Sequence, residues 1–239
     1  MTPPRVGRSF DELAENYDEQ LRDRWRDCFA PSDGAFFIAQ KCRALSRELS
    51  QRLAVAGRRG RLLDAGCGQG TAFRFLRDTY DVVGSDVSLP MLRVARAEGP
   101  VVLQEDCSLP FVSGVFDAAY AFCIYHHIAS SDHVRHLREL ARVVRPGGLI
   151  CVFEHNPLNP VTRRVFNRAP VDRGCEMIPA GRLRQVFLAA GLTDIRVRYV
   201  LFVPEAVHRL LGFAEKYLGW LPLGGQYYVC GRAAHGLGD

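Results

Sequence analysis

Residues 62–70, Leu-Leu-Asp-Ala-Gly-Cys-Gly-Gln-Gly, join an apolar run to a carboxylate and a glycine-rich turn. The apolar run ends at Asp64, and glycines follow at positions 66, 68 and 70. Glycine has no Cβ, so a loop built this way can turn sharply and let its backbone approach a ligand closely. The pattern predicts a buried parallel strand that ends in a ligand-binding loop, with an acid at the strand tip.

The spacing of these glycines bears on which ligand the loop binds. Loops that bind dinucleotides have the pattern G-x-G-x-x-G. Here the third glycine comes one residue early, at Gly70, and Thr71 stands where that pattern needs glycine. The loop therefore lacks the spacing of a pyrophosphate-binding turn, and a nucleotide-dependent dehydrogenase is a less favoured alternative.

Two more acids follow at the ends of the next predicted strands. Tyr80–Asp86 is a strand candidate that ends in an acid, and Val101–Phe111 contains a third strand and a turn with Asp106. An acid at the end of the second strand can accept hydrogen bonds from both hydroxyls of a ribose. The position of Asp86 therefore predicts a nucleoside ligand without identifying it.

Together these segments resemble the motifs of class I S-adenosylmethionine (SAM)-dependent methyltransferases. The resemblance covers residues 57–155, with Phe116–Phe122 as the fourth strand and the Pro-Gly-Gly turn of Leu140–Leu149 before the fifth. It implies an α/β fold, with a Rossmann-like, seven-stranded, mostly parallel sheet, helices on both faces and an antiparallel last strand. It also implies that the glycine loop wraps the methionine part of SAM, that Asp86 binds the ribose and that Asp106 takes the adenine amino group.

An N-terminal segment extends the resemblance. Residues 10–18, Phe-Asp-Glu-Leu-Ala-Glu-Asn-Tyr-Asp, are similar to the lid over the cofactor in ubiquinone/menaquinone-type C-methyltransferases, which implies that Tyr17 touches SAM. An aromatic residue on the apolar stripe of an ordinary helix explains Tyr17 equally well. The residues expected to contact the cofactor are Tyr17, Asp64, Gly66, Cys67, Gly68, Gly70, Asp86, Val87, Asp106, Cys107 and Phe122.

Two histidine-containing clusters follow the fourth and fifth strands, Tyr-His-His at residues 125–127 and Glu-His-Asn at residues 154–156. Ligands of an open parallel sheet bind beyond the carboxyl ends of its strands, so both clusters should face the methyl acceptor. A histidine that titrates near neutrality can take a proton from an acceptor oxygen, and a neighbouring carboxylate can orient its imidazole. The alternative is that these histidines only form hydrogen bonds with the backbone in the wall of the site. The candidate catalytic residues are His155, His127, Glu154 and His126.

Bulk composition bears on the class of protein and its compartment. The chain has 239 residues, 48% of them hydrophobic and 24% charged, which is typical of one soluble globular α/β domain. It contains no run of eighteen apolar residues, and its start lacks the apolar core of a signal peptide. Eight cysteines without a C-x-x-C pair predict free thiols in a reducing, cytoplasmic compartment, and no spacing predicts a metal ligand set.

The net charge of +5 is concentrated in one part of the chain. Residues 157–200 contain eight arginines and three acids. A solvated face explains this bias, and attraction of an anionic acceptor or of a membrane surface is the alternative. A helix expected at 204–221 either lies on a membrane or packs on the sheet edge. Aromatic residues are too sparse for a nucleic-acid groove, so no nucleic-acid partner is expected.

The motifs imply one methyltransferase domain over residues 1–239. We expect four parts, with bounds at 1–56 for a helical lid, 57–155 for the SAM-binding core, 156–222 for an acceptor-pocket insertion and C-terminal elements, and 223–239 for the last strand and tail. Helices are expected at 9–27, 34–56, 70–78, 88–98, 131–144, 161–168, 180–190 and 205–221, and strands at 61–65, 80–86, from 101, 116–122, 148–154, 193–203 and 224–231.

The function that this reading predicts is SAM-dependent methyl transfer to a small-molecule or lipid-linked acceptor, at oxygen, nitrogen or carbon. A SAM-binding regulatory or scaffold protein without catalysis is an alternative, disfavoured because the acids Asp64, Asp86 and Asp106 are all present. The sequence identifies neither the acceptor nor the oligomeric state.

Overall fold

The computed structural model describes residues 11, 24–30, 34–53 and 57–234. Within them, seven strands form one sheet in the order β3-β2-β1-β4-β5-β7-β6. The strands are β1 (Gly60–Ala65), β2 (Tyr80–Asp86), β3 (Val101–Leu103), β4 (Phe116–Phe122), β5 (Val144–His155), β6 (Thr193–Val200) and β7 (Gln226–Arg232).

Strand direction follows the expected methyltransferase pattern. Strands β1 to β5 run parallel to one another, whereas β7 runs antiparallel between β5 and β6. The strand order reverses between β1 and β4, and such a reversal opens a crevice at the carboxyl ends of the two strands. The predicted Rossmann-like, mostly parallel fold is confirmed.

Helices cover both faces of this sheet. In chain order they are α1 (Arg24–Phe29), α2 (Ala35–Arg52), α3 (Phe73–Leu76), α4 (Leu89–Ala95), α5 (His133–Val143), α6 (Pro160–Phe166), α7 (Ala180–Ala189), α8 (Glu205–Leu211) and α9 (Glu215–Leu218). Consecutive residues of the central strands pack on opposite sides: Leu62 belongs to one buried cluster and Leu63 to the other. Burial on both faces explains why these strands read as continuous apolar runs.

The expected continuous helix over 205–221 is wrong. It is broken by a 3₁₀ turn at Gly212–Ala214, which separates α8 from α9. Gly212 is a weak helix former and lies against the ring of His208. Glu215 accepts hydrogen bonds from the backbone N–H groups of Phe202 and Val203, both at 3.0 Å, which ties the second piece to the loop after β6.

The cysteines differ from the expectation of free thiols in one pair. Cys151 of β5 and Cys230 of β7 face each other in the antiparallel register and form a disulfide. The other cysteines of the described ranges, at positions 28, 42, 67, 107, 123 and 175, are free. The pair was missed because 79 residues separate its members and only the strand register brings them together.

Most of the helix expected over 9–27, including Tyr17, lies outside the described residues, which resume at α1. Among the residues that are described, no helix has both the length and the apolar character needed to cross a membrane.

Gly84 of β2 provides a test of this packing. A Cβ at this position would lie 2.6 Å from Cys67 Sγ and 2.7 Å from Cζ of the buried Phe73. We expect Gly84→Ala to lower the free energy of unfolding by about 1–3 kcal/mol, because a full core must shift to accept the methyl group. Urea denaturation measures the change.

The matched control is Gly181→Ala in α7, where a Cβ meets nothing within 4 Å. This variant should be neutral or stabilised by up to about 1 kcal/mol. Equal stability of the two variants would contradict the packing described for β2.

Candidate functional site

One cavity runs along the carboxyl edge of the sheet, over the point where strand order reverses. Its volume of about 1740 Å³ exceeds the roughly 300–1,000 Å³ of a pocket for one small ligand, so it has room for two. One half is lined by the loop after β1 and the ends of β2 and β3. The other half is lined by residues that follow β4 and β5 and by α6.

The glycines of the loop after β1 all have positive φ, between +52° and +76°, but they serve different purposes. A Cβ on Gly68 would meet nothing within 4 Å, and this residue lines the cavity. A Cβ on Gly66 would lie 2.7 Å from the side chain of Ile124, so glycine permits a close approach to the segment after β4. Gly70 packs against Ala95 of α4 and is not among the residues lining the cavity.

Two carboxylates lie next to this loop. Asp64 at the tip of β1 is buried, and burial raises its pKa to about 7. It forms no ion pair with any residue in the described part of the chain. Asp86 accepts hydrogen bonds from the backbone N–H groups of Gly68, at 2.8 Å, and Ser88, at 2.9 Å. Burial raises the pKa of Asp86 while these two N–H groups oppose the rise, and together they fix the orientation of the carboxylate.

The far end of this half of the cavity holds Asp106 and Cys107. The side chain of Asp106 is 74% exposed at the rim and pairs with Arg135 at 2.5 Å. Cys107 is buried. Gln104, which the sequence analysis missed, also lines the cavity; its Oε1 is buried without a hydrogen-bond partner among the described residues. Gln104 lies within the Val101–Phe111 segment, two residues before Asp106, but nothing in that motif marks its amide as a ligand group.

Lys41 of α2 is a second residue that the sequence analysis missed. It is buried against the cavity with its Nζ 4.9 Å from the centre of the Phe122 ring and 3.7 Å from Cys123 Sγ. Within the described ranges it has no carboxylate partner within ion-pair distance. Cys67, Val87 and Phe122, three of the residues expected to contact the cofactor, line the same cavity. This half therefore combines a buried carboxylate at Asp64 with a buried ammonium at Lys41.

His126 is the centre of a charged cluster in the other half. Its Nδ1 lies 2.7 Å from Glu154 Oε2, and its Nε2 lies 3.2 Å from Asp172 Oδ1. A carboxylate at each ring nitrogen requires a proton on each, so this ring is an imidazolium. Burial opposes that charge, but the two carboxylates prevail and raise the pKa of His126 to about 10. In this network His126 is not a proton acceptor at neutral pH.

His127 and His155 differ from His126 in charge state. Burial, followed by the nearby charge of His126, lowers the pKa of each to about 4, so both rings are neutral at pH 7. His155 faces the cavity, with its ring 5.5 Å from that of Phe166 of α6. The structure thus brings all four candidate catalytic residues together, and Glu154 holds His126 directly.

Asp172 belongs to this cluster although sequence reasoning did not select it. It lies in the 3₁₀ turn Pro170–Asp172 of the segment after α6, and its carboxylate is 8% exposed. The segment around Asp172 is rich in arginine, which predicts a charged surface rather than a buried acid. No sequence motif identifies it.

Comparisons with known proteins agree with this geometry. Residues 63–152 match a protein family described as a methyltransferase domain. The chain is 27% identical over 162 residues to a 27-O-demethylrifamycin SV methyltransferase of Amycolatopsis mediterranei, covering 63% of this chain and 58% of that protein. It is 37% identical over 127 residues to a ubiquinone/menaquinone biosynthesis C-methyltransferase of Syntrophotalea carbinolica, with coverages of 48% and 52%.

A third relative acts on a different class of acceptor. It is a tRNA (carboxymethyluridine(34)-5-O)-methyltransferase of Arabidopsis thaliana, 33% identical over 93 residues, which are 38% of this chain and 23% of that protein. In each of these three relatives the matched part is less than two thirds of the protein's length.

A solved structure extends the likeness to the whole fold. A SAM-dependent methyltransferase from Thermotoga maritima superposes with a TM-score of 0.64 at 18% identity, over 96% of this chain and 100% of that one. At this identity the likeness concerns the fold. Residues 63–152 thus match a methyltransferase domain, and the chain as a whole has the fold of a SAM-dependent methyltransferase.

Proposed function

We propose that this protein transfers a methyl group from SAM to a hydroxyl oxygen of a small-molecule acceptor. The observation that carries the proposal is the continuity of one cavity from the glycine loop with its two carboxylates to the neutral histidines His127 and His155. A donor in the first half and an acceptor in the second half would then lie in one enclosed space.

The first half fits SAM on chemical grounds. The amino-acid end of SAM carries an ammonium and a carboxylate. The carboxylate of Asp64 can pair with the ammonium, and the ammonium of Lys41 can pair with the carboxylate. Asp86 retains lone pairs for ribose hydroxyls after its two backbone hydrogen bonds. Gln104 Oε1 offers a buried acceptor near Asp106, where the adenine amino group is expected. When bound, SAM supplies a methyl group activated by the positive charge on its sulfur.

The second half fits a neutral hydroxyl better than an anion. The carboxylates of Glu154 and Asp172 outnumber the single imidazolium of His126, so the wall carries net negative charge at neutral pH. His155 is uncharged and can accept a hydrogen bond from a hydroxyl, orient its oxygen and take its proton. Phe166 and Val165 of α6 provide apolar surface that excludes water and contacts the body of the acceptor.

The extent of the sequence matches also supports a small-molecule acceptor. The match to the rifamycin O-methyltransferase covers 63% of this chain, whereas that to the tRNA methyltransferase covers 38%. A screen with methyl-labelled SAM, offering small-molecule extract and purified tRNA in separate reactions, tests the proposal. Label in an alkali-stable small product supports it. Label in tRNA alone, or a protein that binds SAM without transferring label to any fraction, would refute it.

We expect Asp64→Asn to weaken binding of S-adenosylhomocysteine by roughly 10- to 100-fold, because a charged hydrogen bond to the ligand ammonium is lost. The same variant should be more stable than wild type, and more so at pH 8 than at pH 5. Burial raises the pKa of Asp64 from about 4 in the unfolded chain to about 7 in the fold, so its ionisation costs stability as pH rises through this range.

Calorimetric titration measures the affinity, and urea denaturation at both pH values measures the stability. Asp78→Asn, at an exposed carboxylate, is the matched control and should change neither quantity. Unchanged ligand affinity in Asp64→Asn would refute the role given to this carboxylate.

We expect His155→Ala to lower kcat by about 10²- to 10⁴-fold with the acceptor found in the screen, since the group that orients and deprotonates the hydroxyl is lost. Affinity for S-adenosylhomocysteine should stay within about twofold, because His155 lies in the other half of the cavity. His208→Ala removes a histidine of α8 outside the cavity and serves as control. A rate near wild type in His155→Ala would rule out this role.

The exposed side chains of residues 210–220, a segment that leads in the chain to Leu223 of the cavity lining, favour a lipid-linked acceptor as one form of the substrate. The side chains of Leu210, Phe213, Tyr217 and Trp220 are each at least 65% exposed, and Arg209 and Lys216 lie among them. Aromatic and basic residues together suit an anionic bilayer surface. We expect wild type to float with phosphatidylglycerol vesicles and Phe213→Ser/Trp220→Ser to float less. Equal flotation of both proteins would remove the membrane from the proposal.

A further inference from the structure

We propose that His126, His127 and Asp172 form a binding site for one divalent transition-metal cation in the wall of the cavity. One donor atom from each of the three residues lies within 4.8 Å of the others. Among the residues that the structure describes, this is the one group of three or more histidine, cysteine or acidic side chains that could hold a metal ion. The sequence spacing does not predict it, because Asp172 comes 46 residues after His126.

The donor atoms converge on a common space. Nε2 of His126 lies 3.2 Å from Asp172 Oδ1, and Nε2 of His127 lies 3.5 Å from the same oxygen. Both rings therefore direct the same nitrogen toward one carboxylate oxygen. Some metal sites bind the ion through two imidazole nitrogens and one carboxylate on one face. Such sites leave the other coordination positions of the metal open.

The far sides of both rings are held by other groups. Nδ1 of His126 is 2.7 Å from Glu154 Oε2, and Nδ1 of His127 is 3.2 Å from Cys175 Sγ. Metal-binding histidines commonly engage a carboxylate or another acceptor through the second nitrogen, which orients the ring and fixes its tautomer. Glu154 is fully buried and its other oxygen accepts the backbone N–H of Tyr125, so it stays on the outer side of His126.

Charge also favours a cation at this position. Glu154 and Asp172 are two buried carboxylates that share the single charge of His126. A divalent cation replaces the Nε2 proton of His126, which passes to solvent, and compensates the remaining negative charge at shorter range. A buried carboxylate without full charge compensation is unfavourable, so a second positive charge at this position stabilises the cluster.

The donor types narrow the identity of the cation. Two nitrogens and one oxygen suit Mn²⁺, Fe²⁺, Co²⁺, Ni²⁺ or Zn²⁺, whereas Ca²⁺ and Mg²⁺ prefer oxygen ligands alone. All three residues line the cavity, so the open positions would take oxygen atoms of a bound molecule. This last step rests on the proposed function: a hydroxyl coordinated there loses its proton more readily than a free one and becomes the better methyl acceptor.

Calorimetric and spectroscopic titration of the metal-free full chain with Co²⁺ tests the site. The background is Cys28→Ser, which removes an exposed thiol that could bind the probe. We expect one Co²⁺ per chain with new visible absorption. Asp172→Asn should weaken this binding at least about 100-fold, and His208→Ala, which alters a histidine outside the cavity, should leave it unchanged.

Circular dichroism and affinity for S-adenosylhomocysteine, measured on the same samples, show whether each variant is folded. If Asp172→Asn does not fold, His127→Gln takes its place, with the same loss expected. Absence of saturable Co²⁺ binding by a folded wild type overturns the site. Binding that survives Asp172→Asn or its substitute unchanged overturns the ligand set.

Acetohydroxamate, a chelator that offers two oxygens, tests the open positions. It should alter the visible spectrum of the Co²⁺-bound protein, and a spectrum that does not change refutes access from the cavity. These measurements are independent of methyl transfer. A protein that binds Co²⁺ but not S-adenosylhomocysteine would refute the proposed function and leave the metal site standing, whereas the reverse result would refute the metal site alone.

Discussion

The structure depends on one constraint, the reversal of strand order between β1 and β4. Parallel strands present their carboxyl ends at the same edge of the sheet, and the reversal sends the following segments to opposite sides of a crevice. The loop after β1 and the segment after β4 therefore form facing walls, and they approach so closely that glycine is required at Gly66 beside Ile124. The groups that end or follow β1, β2, β4 and β5 are placed by this arrangement, whereas α2 and the segment after α6 add Lys41 and Asp172.

The crevice contains several buried charged side chains that do not contribute to the stability of the fold. Asp64 and Lys41 lie buried in one half without partners of opposite charge within ion-pair distance among the described residues, while Glu154 and Asp172 enclose His126 in the other. Buried ionisable groups usually cost stability unless they are paired. A binding site for charged ligands requires such groups along one cavity. The clustering also gives His126 and His127 opposite pKa shifts, because two carboxylates raise the pKa of His126 while burial and the charge of His126 lower that of His127.

The two halves differ in how far the sequence predicts them. The half of the cavity proposed to bind SAM consists of short segments in which neighbouring residues act together, so Asp64, Gly66, Gly68 and Asp86 could be selected as candidates from their order along the chain. The acceptor half depends on residues from separate segments. His126, His127, Glu154 and His155 could be selected because each ends or follows a predicted strand, but Asp172 belongs to no motif and becomes visible only in the tertiary structure. In the other half the same holds for Lys41 of α2, while Gln104 lies within a motif that does not mark its amide.

The sequence by itself determined most of the strand and helix order and the position of the glycine loop, because hydrophobic period and turn residues act locally, and its resemblance to class I methyltransferases implied the mostly parallel sheet. It could not determine which partners meet across the sheet. The pairing of Cys151 with Cys230, the break at Gly212 in the expected last helix and the contact of Asp172 with two histidines were decided by the tertiary structure. In each case the interaction joins residues distant in the chain, or depends on a neighbour that local sequence does not contain.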